Sequence, residues 1–156
     1  MKSISKELLL QLPKVELHCH LDGSLRANSI LDQAKIDNIK LPFKNYDDLT
    51  AYFKIGENRG SLEDYIKRFD ITLCVMQTPK ALSRFAYELI EDVSKENVRY
   101  IEVRYSPILH TKKGMALEEA LESVRKGLKR GEKDFGVKSG IIVCGIRHIS
   151  PEASLK

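Results

Sequence analysis

The stretch Val15-Glu16-Leu17-His18-Cys19-His20-Leu21-Asp22-Gly23 alternates apolar residues with polar or ionisable ones. This period of two predicts a β-strand whose polar residues, together with the carboxylate just beyond its end, share one face. They are Glu16, His18, His20 and Asp22. Residues two apart on one strand face are about 6 to 7 Å apart at the backbone, so two imidazoles placed there can bind one zinc ion. The stretch therefore predicts half of a metal site.

The residues alone leave more than one interpretation of this motif open. Two of the four histidines can fall two positions apart by accident, or both can be hydrogen-bonded core or surface residues. Asp22 can equally be a turn residue or a helix cap. The context favours a site, because Asp22-Gly23 forms a turn signal and Ser24 is expected to cap a following helix. Active sites of α/β proteins lie where a strand ends and a turn leads into a helix.

Composition limits the class of protein. The chain has 156 residues, of which 42% are hydrophobic and 31% charged, which fits one domain or part of one. No apolar run approaches the ~18 residues of a membrane span, so no membrane association is expected. Cys19, Cys74 and Cys144 are far apart in apolar surroundings, which predicts buried thiols and a reducing, cytoplasmic location. The net charge of +4 is interleaved, so the basic stretch 125–133 is interpreted as a solvated helix face rather than a nucleic-acid site.

The rest of the chain predicts helices that alternate with strands. Apolar periodicity, caps and breakers give a short N-terminal helix capped by Ser3 or Ser5, further helices at residues 24–36, 46–53, 61–76, 78–95 and 117–135, and strands at 99–106 and 139–149. Strands separated by helical crossovers form a parallel sheet. Three such strands leave two open edges, and Ser150-Pro151 begins a further helix. We therefore expect an α/β fold that is part of a larger (β/α) protein.

The second predicted strand also carries a polar face. Its members are Tyr100, Glu102, Arg104 and Ser106. Two interpretations of this face stay open, since these side chains can shape a site or form an ion pair that fills the interior.

Two motifs resemble the adenosine deaminase family. Residues 13–24 are similar to its first barrel strand with the zinc-binding H-x-H-x-D-G motif, and Val103-Arg104-Tyr105-Ser106-Pro107 is similar to its second-strand signature. Phe69-Asp70 lies in a segment similar to the helices that cover the pocket, and residues 145–148 are a weaker match. The resemblance implies the N-terminal part of a (β/α)8 TIM barrel, with residues 1–156 as a segment of one barrel domain that is incomplete at its C-terminus.

The resemblance also implies roles for individual residues. His18 and His20 would bind zinc, one ion per complete site, and Asp22 would accept a hydrogen bond from the sugar 5′-hydroxyl. The predicted substrate contacts are His20, Asp22, Leu62, Tyr65, Ile66, Phe69 and Ser106. The resemblance implies that four of these residues line an apolar wall over the nucleoside: Leu62, Tyr65, Ile66 and Phe69. Their spacing also makes them one helical stripe, for which ordinary core packing is the alternative.

The activity implied by the resemblance is zinc-dependent hydrolysis of adenosine and 2′-deoxyadenosine to inosine products and ammonia, in purine metabolism. The partner is a small purine nucleoside, not a nucleic acid. The family's remaining ligands, its general-acid glutamate and its second catalytic histidine are expected beyond residue 156. Because neither His110 nor His148 lies in the required motif, we expect the chain alone to be inactive.

Other functions remain open. A related barrel deaminase could act on adenine, AMP or a thio-substituted adenosine, and a truncated, non-catalytic half-barrel is a third possibility. The deaminases of cytidine and of bases in nucleic acid carry H-x-E and P-C-x-x-C motifs. Neither motif occurs in this chain, which excludes that class.

Overall fold

The computed structural model of the protein describes residues 4–54, 66–147 and 149–154. Its strands are β1 (Lys14–His20), β2 (Val98–Tyr105) and β3 (Lys138–Val143), which form one parallel sheet in the order β1-β2-β3. The helices are α1 (Lys6–Gln11), α2 (Ala27–Ile36), α3 (Tyr46–Phe53), α4 (Phe69–Val75), α5 (Pro79–Lys95), α6 (Leu117–Phe135) and α7 (Pro151–Ser154), with a 3-10 turn at Pro107–His110. The predicted α/β class with parallel strands and helical crossovers is confirmed.

The hydrophobic core lies between β2 and the two long helices. Alternation along β2 buries Ile101, Val103 and Tyr105, each at most 2% exposed. The apolar stripe of α5 belongs to the same core cluster and consists of Ala81, Leu82, Phe85, Ala86, Leu89 and Ile90. Full burial of each large apolar side chain contributes about 1.5–3 kcal/mol, so this face of the sheet supplies most of the stability.

Local signals fix the ends of these helices. The Thr78 side chain accepts a hydrogen bond from the Ala81 backbone N–H at 3.2 Å, and Pro79 occupies the first turn of α5. Gly136, with φ of 72°, ends α6 in the left-handed conformation that favours glycine. Within α6, a Cβ on Gly127 would overlap the Ser83 carbonyl oxygen, so only glycine permits this close approach to α5.

The third strand is shorter than predicted. β3 ends at Val143, whereas the prediction extended to residue 149. The Cys144 N–H still donates to the Tyr105 carbonyl at 3.0 Å, but β2 then leaves the sheet for the 3-10 turn that starts at Pro107. Because the neighbouring strand has ended, the following apolar residues have no ladder to join, and the Ile149 N–H donates to Ile146 in a turn instead.

The helix after β1 begins later than predicted, and its cap is different. α2 starts at Ala27, and its N-cap residue Arg26 makes no side-chain cap bond. Ser24 is not the cap, because its hydroxyl donates to the His20 carbonyl at 2.6 Å. Arg26 instead bonds Asp92 of α5 through Nε at 2.7 Å, which ties the loop after β1 to the helix layer.

The helix predicted over residues 61–76 is interrupted within the described residues. Residues 66 and 67 are helical, a turn falls at Arg68, and α4 follows. The Ile71 N–H donates to the Arg68 carbonyl at 3.2 Å, a bond that spans three residues and tightens the turn. The first residues of this predicted helix, 61–65, lie outside the described residues.

The first strand departs from strict alternation. Glu16 pairs with Ile101 and Cys19 with Val103, so three steps along β1 match two steps along β2. Such a bulge breaks the period of two and bends the strand, and bulges are frequent beside active sites. The apolar face is also only partly covered, because Leu21 is fully buried while Val15 and Leu17 are 62% and 58% exposed.

Three compositional expectations have different outcomes. Cys19, Cys74 and Cys144 are half-buried and free rather than fully buried. The basic stretch lies on the exposed face of α6 and forms ion pairs such as Lys129 with Glu132 at 2.8 Å, as predicted. Across the three described ranges, none of the helices combines the length and apolar composition that a membrane span requires.

Candidate metal and substrate site

The two histidines of the opening motif lie side by side at the carboxyl end of β1. Their ring centroids are 5.4 Å apart, and the ring planes are tilted by 46°. The strand is held in place there because the Leu21 N–H donates to the Arg104 carbonyl of β2 at 3.0 Å. The structure therefore brings together the pair that the sequence predicted.

Asp22 follows β1 and lies next to His20. It is 7% exposed, and its Oδ1 is 3.6 Å from His20 Nδ1. Burial raises the pKa of the Asp22 carboxyl, and the nearby His20 charge opposes that shift. Oδ1 makes no hydrogen bond with the described residues. The 3.6 Å separation is too long for a hydrogen bond, so Asp22 acts on His20 in this structure through charge and proximity.

His18 has a partner that the sequence did not predict. The Arg104 guanidinium donates from Nη1 to His18 Nε2 at 2.6 Å and from Nη2 to the Cys144 sulfur at 3.2 Å. Alternation along β2 had placed Arg104 on the polar face, but no sequence signal identified His18 or Cys144 as its neighbour. An interior ion pair between Glu102 and Arg104 was one alternative predicted for this strand face. These two described residues do not form it, and Glu102 instead accepts a hydrogen bond from Tyr100.

A cavity of about 460 Å³ opens beside the histidines. It is lined by Glu16, His18, Cys19, His20, Gly23, Ser24, Ile66 and Phe69. The Phe69 ring is 6.4 Å from the His20 ring, so two of the four predicted wall residues, Ile66 and Phe69, do face the pair. Leu62 and Tyr65 lie outside the described residues. The volume is in the range of small-molecule sites, about 300–1,000 Å³.

A second cavity of about 420 Å³ lies on the Asp22 side of Phe69. Its lining adds residues of α3, of α4 and of the turn before α4 that the sequence did not single out: Tyr46, Thr50, Phe53, Arg68 and Thr72. No motif or periodicity could have found them, because these segments meet only through the tertiary fold.

Ser106, a predicted substrate contact, is 4% exposed. Its hydroxyl donates to the Cys144 carbonyl at 2.7 Å and ties the end of β2 to the segment after β3. Its role toward a substrate stays a prediction.

His110 belongs to the core rather than to the site. It is fully buried, with Nδ1 3.0 Å from the Met76 carbonyl oxygen and its ring 5.7 Å from that of Tyr105. Burial lowers the pKa of His110 to about 4, so the ring is neutral at physiological pH. His148 lies outside the described residues.

Comparison with known proteins decides the family. The sequence profile of the family described as Adenosine deaminase matches residues 13–156. The chain belongs to the adenosine deaminase family. The adenosine deaminase of Clostridium botulinum strain 657 is 50% identical over 139 residues, which are 89% of this chain and 42% of that protein. The chain thus spans about two fifths of the length of this relative.

Solved structures of related deaminases agree with this family. The adenine deaminase of Arthrobacter aurescens has a TM-score of 0.79 and 27% identity over 89% of this chain and 41% of its own. A Zn-bound amidohydrolase of Burkholderia ambifaria has a TM-score of 0.80 and 25% identity over 97% of this chain and 42% of its own. The three parallel strands and their helices therefore correspond to part of the TIM barrel of these amidohydrolases, as predicted.

The donor set of this family member suits zinc but does not complete a site. Two imidazoles are ordinary zinc ligands, whereas structural and catalytic zinc sites use three or four protein ligands. Within residues 4–54, 66–147 and 149–154, no group of three or more histidine, cysteine or acidic side chains could hold a metal ion. The described part of the chain thus offers two candidate imidazole ligands.

Proposed function

We propose that this chain is the N-terminal segment of a zinc-dependent enzyme that hydrolyses adenosine and 2′-deoxyadenosine to their inosine products and ammonia. The observation that carries the proposal is the His18–His20 pair, with ring centroids 5.4 Å apart and Asp22 behind it, in a chain of this family. Residues 1–156 form one segment of a single barrel domain.

His18 and His20 would hold the zinc ion. A bound zinc ion supplies a nucleophile at neutral pH, because it lowers the pKa of water to about 7. The chain's part is to hold the two histidines side by side at the end of β1, where the backbone bond from Leu21 to Arg104 fixes the strand and Asp22 lies 3.6 Å from His20 Nδ1.

Asp22 and the cavity wall would bind the nucleoside. Asp22 lines the 420 Å³ cavity on the far side of Phe69, and its carboxylate would accept a hydrogen bond from the sugar 5′-hydroxyl. Ile66 and Phe69 would cover the apolar face of the purine and exclude water from it. The two side chains border the same cavity as His18 and His20, which supports this orientation.

The general acid and the remaining zinc ligands are not among the candidate residues of this chain. Two imidazoles hold zinc weakly compared with a complete site. We therefore expect the 156-residue chain alone to show no detectable deamination of adenosine, even with added zinc.

A chimaera tests the proposed activity. The chain is followed by the part of the Clostridium botulinum adenosine deaminase that it does not cover, and conversion of adenosine to inosine is measured with zinc present. Activity is expected in the chimaera and not in the chain alone. His18→Ala should lower kcat/KM by more than about 100-fold, since even loss of a second-layer partner of a metal costs about 10–100-fold.

Lys126→Ala is the control, because Lys126 lies on the solvent face of α6, away from the candidate ligands, and its side chain is 68% exposed. It should leave kcat/KM within a few-fold of the parent chimaera. A folded chimaera that deaminates adenosine equally well with and without His18 would contradict the proposal.

A related deaminase that acts on adenine, AMP or a thio-substituted adenosine is the second candidate. The likeness to an adenine deaminase favours it, whereas 50% identity to an adenosine deaminase and the buried Asp22 carboxylate favour a nucleoside. Asp22→Asn in the chimaera separates the two. It should lower kcat/KM about 10-fold or more for adenosine, while an enzyme for free adenine would be little affected because adenine has no sugar.

A non-catalytic half-barrel that associates with another chain is a candidate of a different class. The exposure of Val15 and Leu17 on β1 favours such an association. Sedimentation of the pure chain with metal analysis distinguishes it from the enzyme segment, since a monodisperse, metal-free dimer would support the half-barrel.

A further inference from the structure

The contact between Arg104 and His18 joins a permanent cation to a candidate zinc ligand. A guanidinium group has five N–H donors, no acceptor, and is not deprotonated in proteins. The Nη1–Nε2 distance of 2.6 Å is therefore a hydrogen bond from Arg104 into the lone pair of His18 Nε2. In the neutral ring this leaves the proton on Nδ1.

Among the residues that the structure describes, no carboxylate forms an ion pair with Arg104. Its second partner is the Cys144 sulfur at 3.2 Å, and Cys144 in turn donates toward the Ile142 carbonyl at 3.8 Å as a thiol. Nε of Arg104 is buried and has no hydrogen-bond partner in the described part of the chain. The nearest acidic residue along the same strand face, Glu102, accepts from Tyr100 instead.

A metal ion and a guanidinium group cannot use the same nitrogen lone pair. His20 is different, because its ring lines the cavity, its Nδ1 lies 3.6 Å from Asp22 Oδ1, and no guanidinium of the described residues contacts it. The two candidate ligands are thus unequal, because a positive charge covers a ring nitrogen of His18 only.

We propose that Arg104 is a positioning residue that competes with the zinc ion for Nε2 of His18. The inference rests on the proposed metal site. The guanidinium keeps Nε2 free of a proton and oriented for a cation, and zinc must displace Nη1 before His18 can bind it. The hydrogen bond from Nη2 to Cys144 can persist after zinc has displaced Nη1, and it would hold the Arg104 side chain nearby. The net effect of Arg104 is to weaken zinc binding.

Zinc affinity of the 156-residue chain tests this proposal. Dissociation constants are measured by competition with a chromophoric chelator for the parent chain, Arg104→Gln and Arg104→Lys. In the parent chain, zinc must break the strong, charge-assisted hydrogen bond from Arg104 before it binds His18. Because Arg104→Gln removes that bond, the variant should bind zinc about ten-fold or more tightly than the parent. Arg104→Lys keeps the charge but not the planar fork, and should lie between the two.

Arg99→Gln is the matched control. Arg99 is exposed near the start of β2, so the substitution removes the same charge from the same strand without the contact to His18. It should change zinc affinity by less than about two-fold at physiological salt.

The outcomes separate this proposal from that of the metal site. If the parent chain binds zinc and Arg104→Gln binds it equally or more weakly, Arg104 does not compete and the inference is wrong. If neither binds zinc, the same variants are compared in the chimaera, which carries the remaining ligands: a chimaera without zinc defeats the metal-site proposal, whereas a chimaera that binds zinc equally tightly with and without Arg104→Gln defeats this inference alone.

A second measurement does not depend on the folding of the variant. In the parent chain, zinc is added while the side-chain 15N resonances of Arg104 and His18 are followed by NMR. Displacement requires both sets to shift with the same dependence on zinc concentration. A shift of the His18 resonances with no change at Arg104 would overturn the proposal.

Discussion

The two faces of the sheet differ in what their residues contribute. On the helix-covered side of β2, Ile101, Val103 and Tyr105 are at most 2% exposed and pack with α5. At the carboxyl end of β1, His18 and His20 are exposed, and the buried residues next to them are the apolar Leu21 and the carboxylate of Asp22. Stability is therefore concentrated in the first region and candidate chemistry in the second, which means that substitutions in the two regions should have separable effects.

The largest effect on stability is expected in the covered region. Phe85 of α5 is 2% exposed, and its replacement by alanine leaves a cavity in the core. Phe85→Ala should lower the free energy of unfolding by about 3–5 kcal/mol, as measured by urea denaturation. A loss below about 1 kcal/mol would show that the core is not centred on this helix.

Low pH should lower the stability of the covered region through His110, which is buried there. Its pKa is lowered to about 4 in the folded protein, against about 6.5 in an unfolded chain. Between these values the unfolded chain binds a proton that the folded chain does not. Stability is therefore complete above about pH 6.5 and falls by up to about 3 kcal/mol as the pH drops toward 4.

His110→Asn keeps a donor for the Met76 carbonyl but removes the titrating group. Urea denaturation at pH 7.5, 6, 5 and 4.5 should show a marked decline for the parent and a flatter profile for the variant. Parallel profiles would assign the acid sensitivity to other groups.

Removal of a helix cap should have a smaller effect on stability, and the effect should differ between α5 and α1. Thr78→Ala removes the acceptor for the Ala81 N–H at the start of α5 and should lower the free energy of unfolding by about 1 kcal/mol. Ser5→Ala removes the equivalent bond in α1, which has no buried residue. It should change stability by less than about 0.5 kcal/mol, and equal losses would mean that α1 is integral to the folding unit.

The smallest effect is expected on the open part of β1. Leu17 is 58% exposed, so Leu17→Ala should change the free energy of unfolding of the isolated chain by less than about 0.5 kcal/mol. A loss of 2 kcal/mol or more would indicate that this face is covered in solution, by another copy or by another segment.

Local signals predicted much of the covered region. Thr78-Pro79 and Gly136 mark helix ends through capping chemistry that depends only on neighbouring residues. The alternation of β2 and the apolar stripe of α5 likewise follow from periods of 2 and 3.6. These features are local, and for that reason they could be predicted from one sequence.

The differences between the predicted and the observed structure have non-local causes. β3 stops at Val143 because its neighbour β2 leaves the sheet, and the bulge between Glu16 and Cys19 depends on pairing with β2. The bond from Arg104 to His18 joins residues 86 positions apart. The candidate site was thus predictable as a pair of ligands on a strand, while the groups around that pair depend on the tertiary fold.

The central claim is that His18 and His20 together bind one zinc ion. A crystal of the chain soaked in Zn²⁺ and measured by anomalous diffraction tests it most directly. We expect one anomalous peak within about 2.0–2.1 Å of a ring nitrogen of each histidine. A peak bound elsewhere, at a single histidine, or absent from the end of β1 would contradict the account.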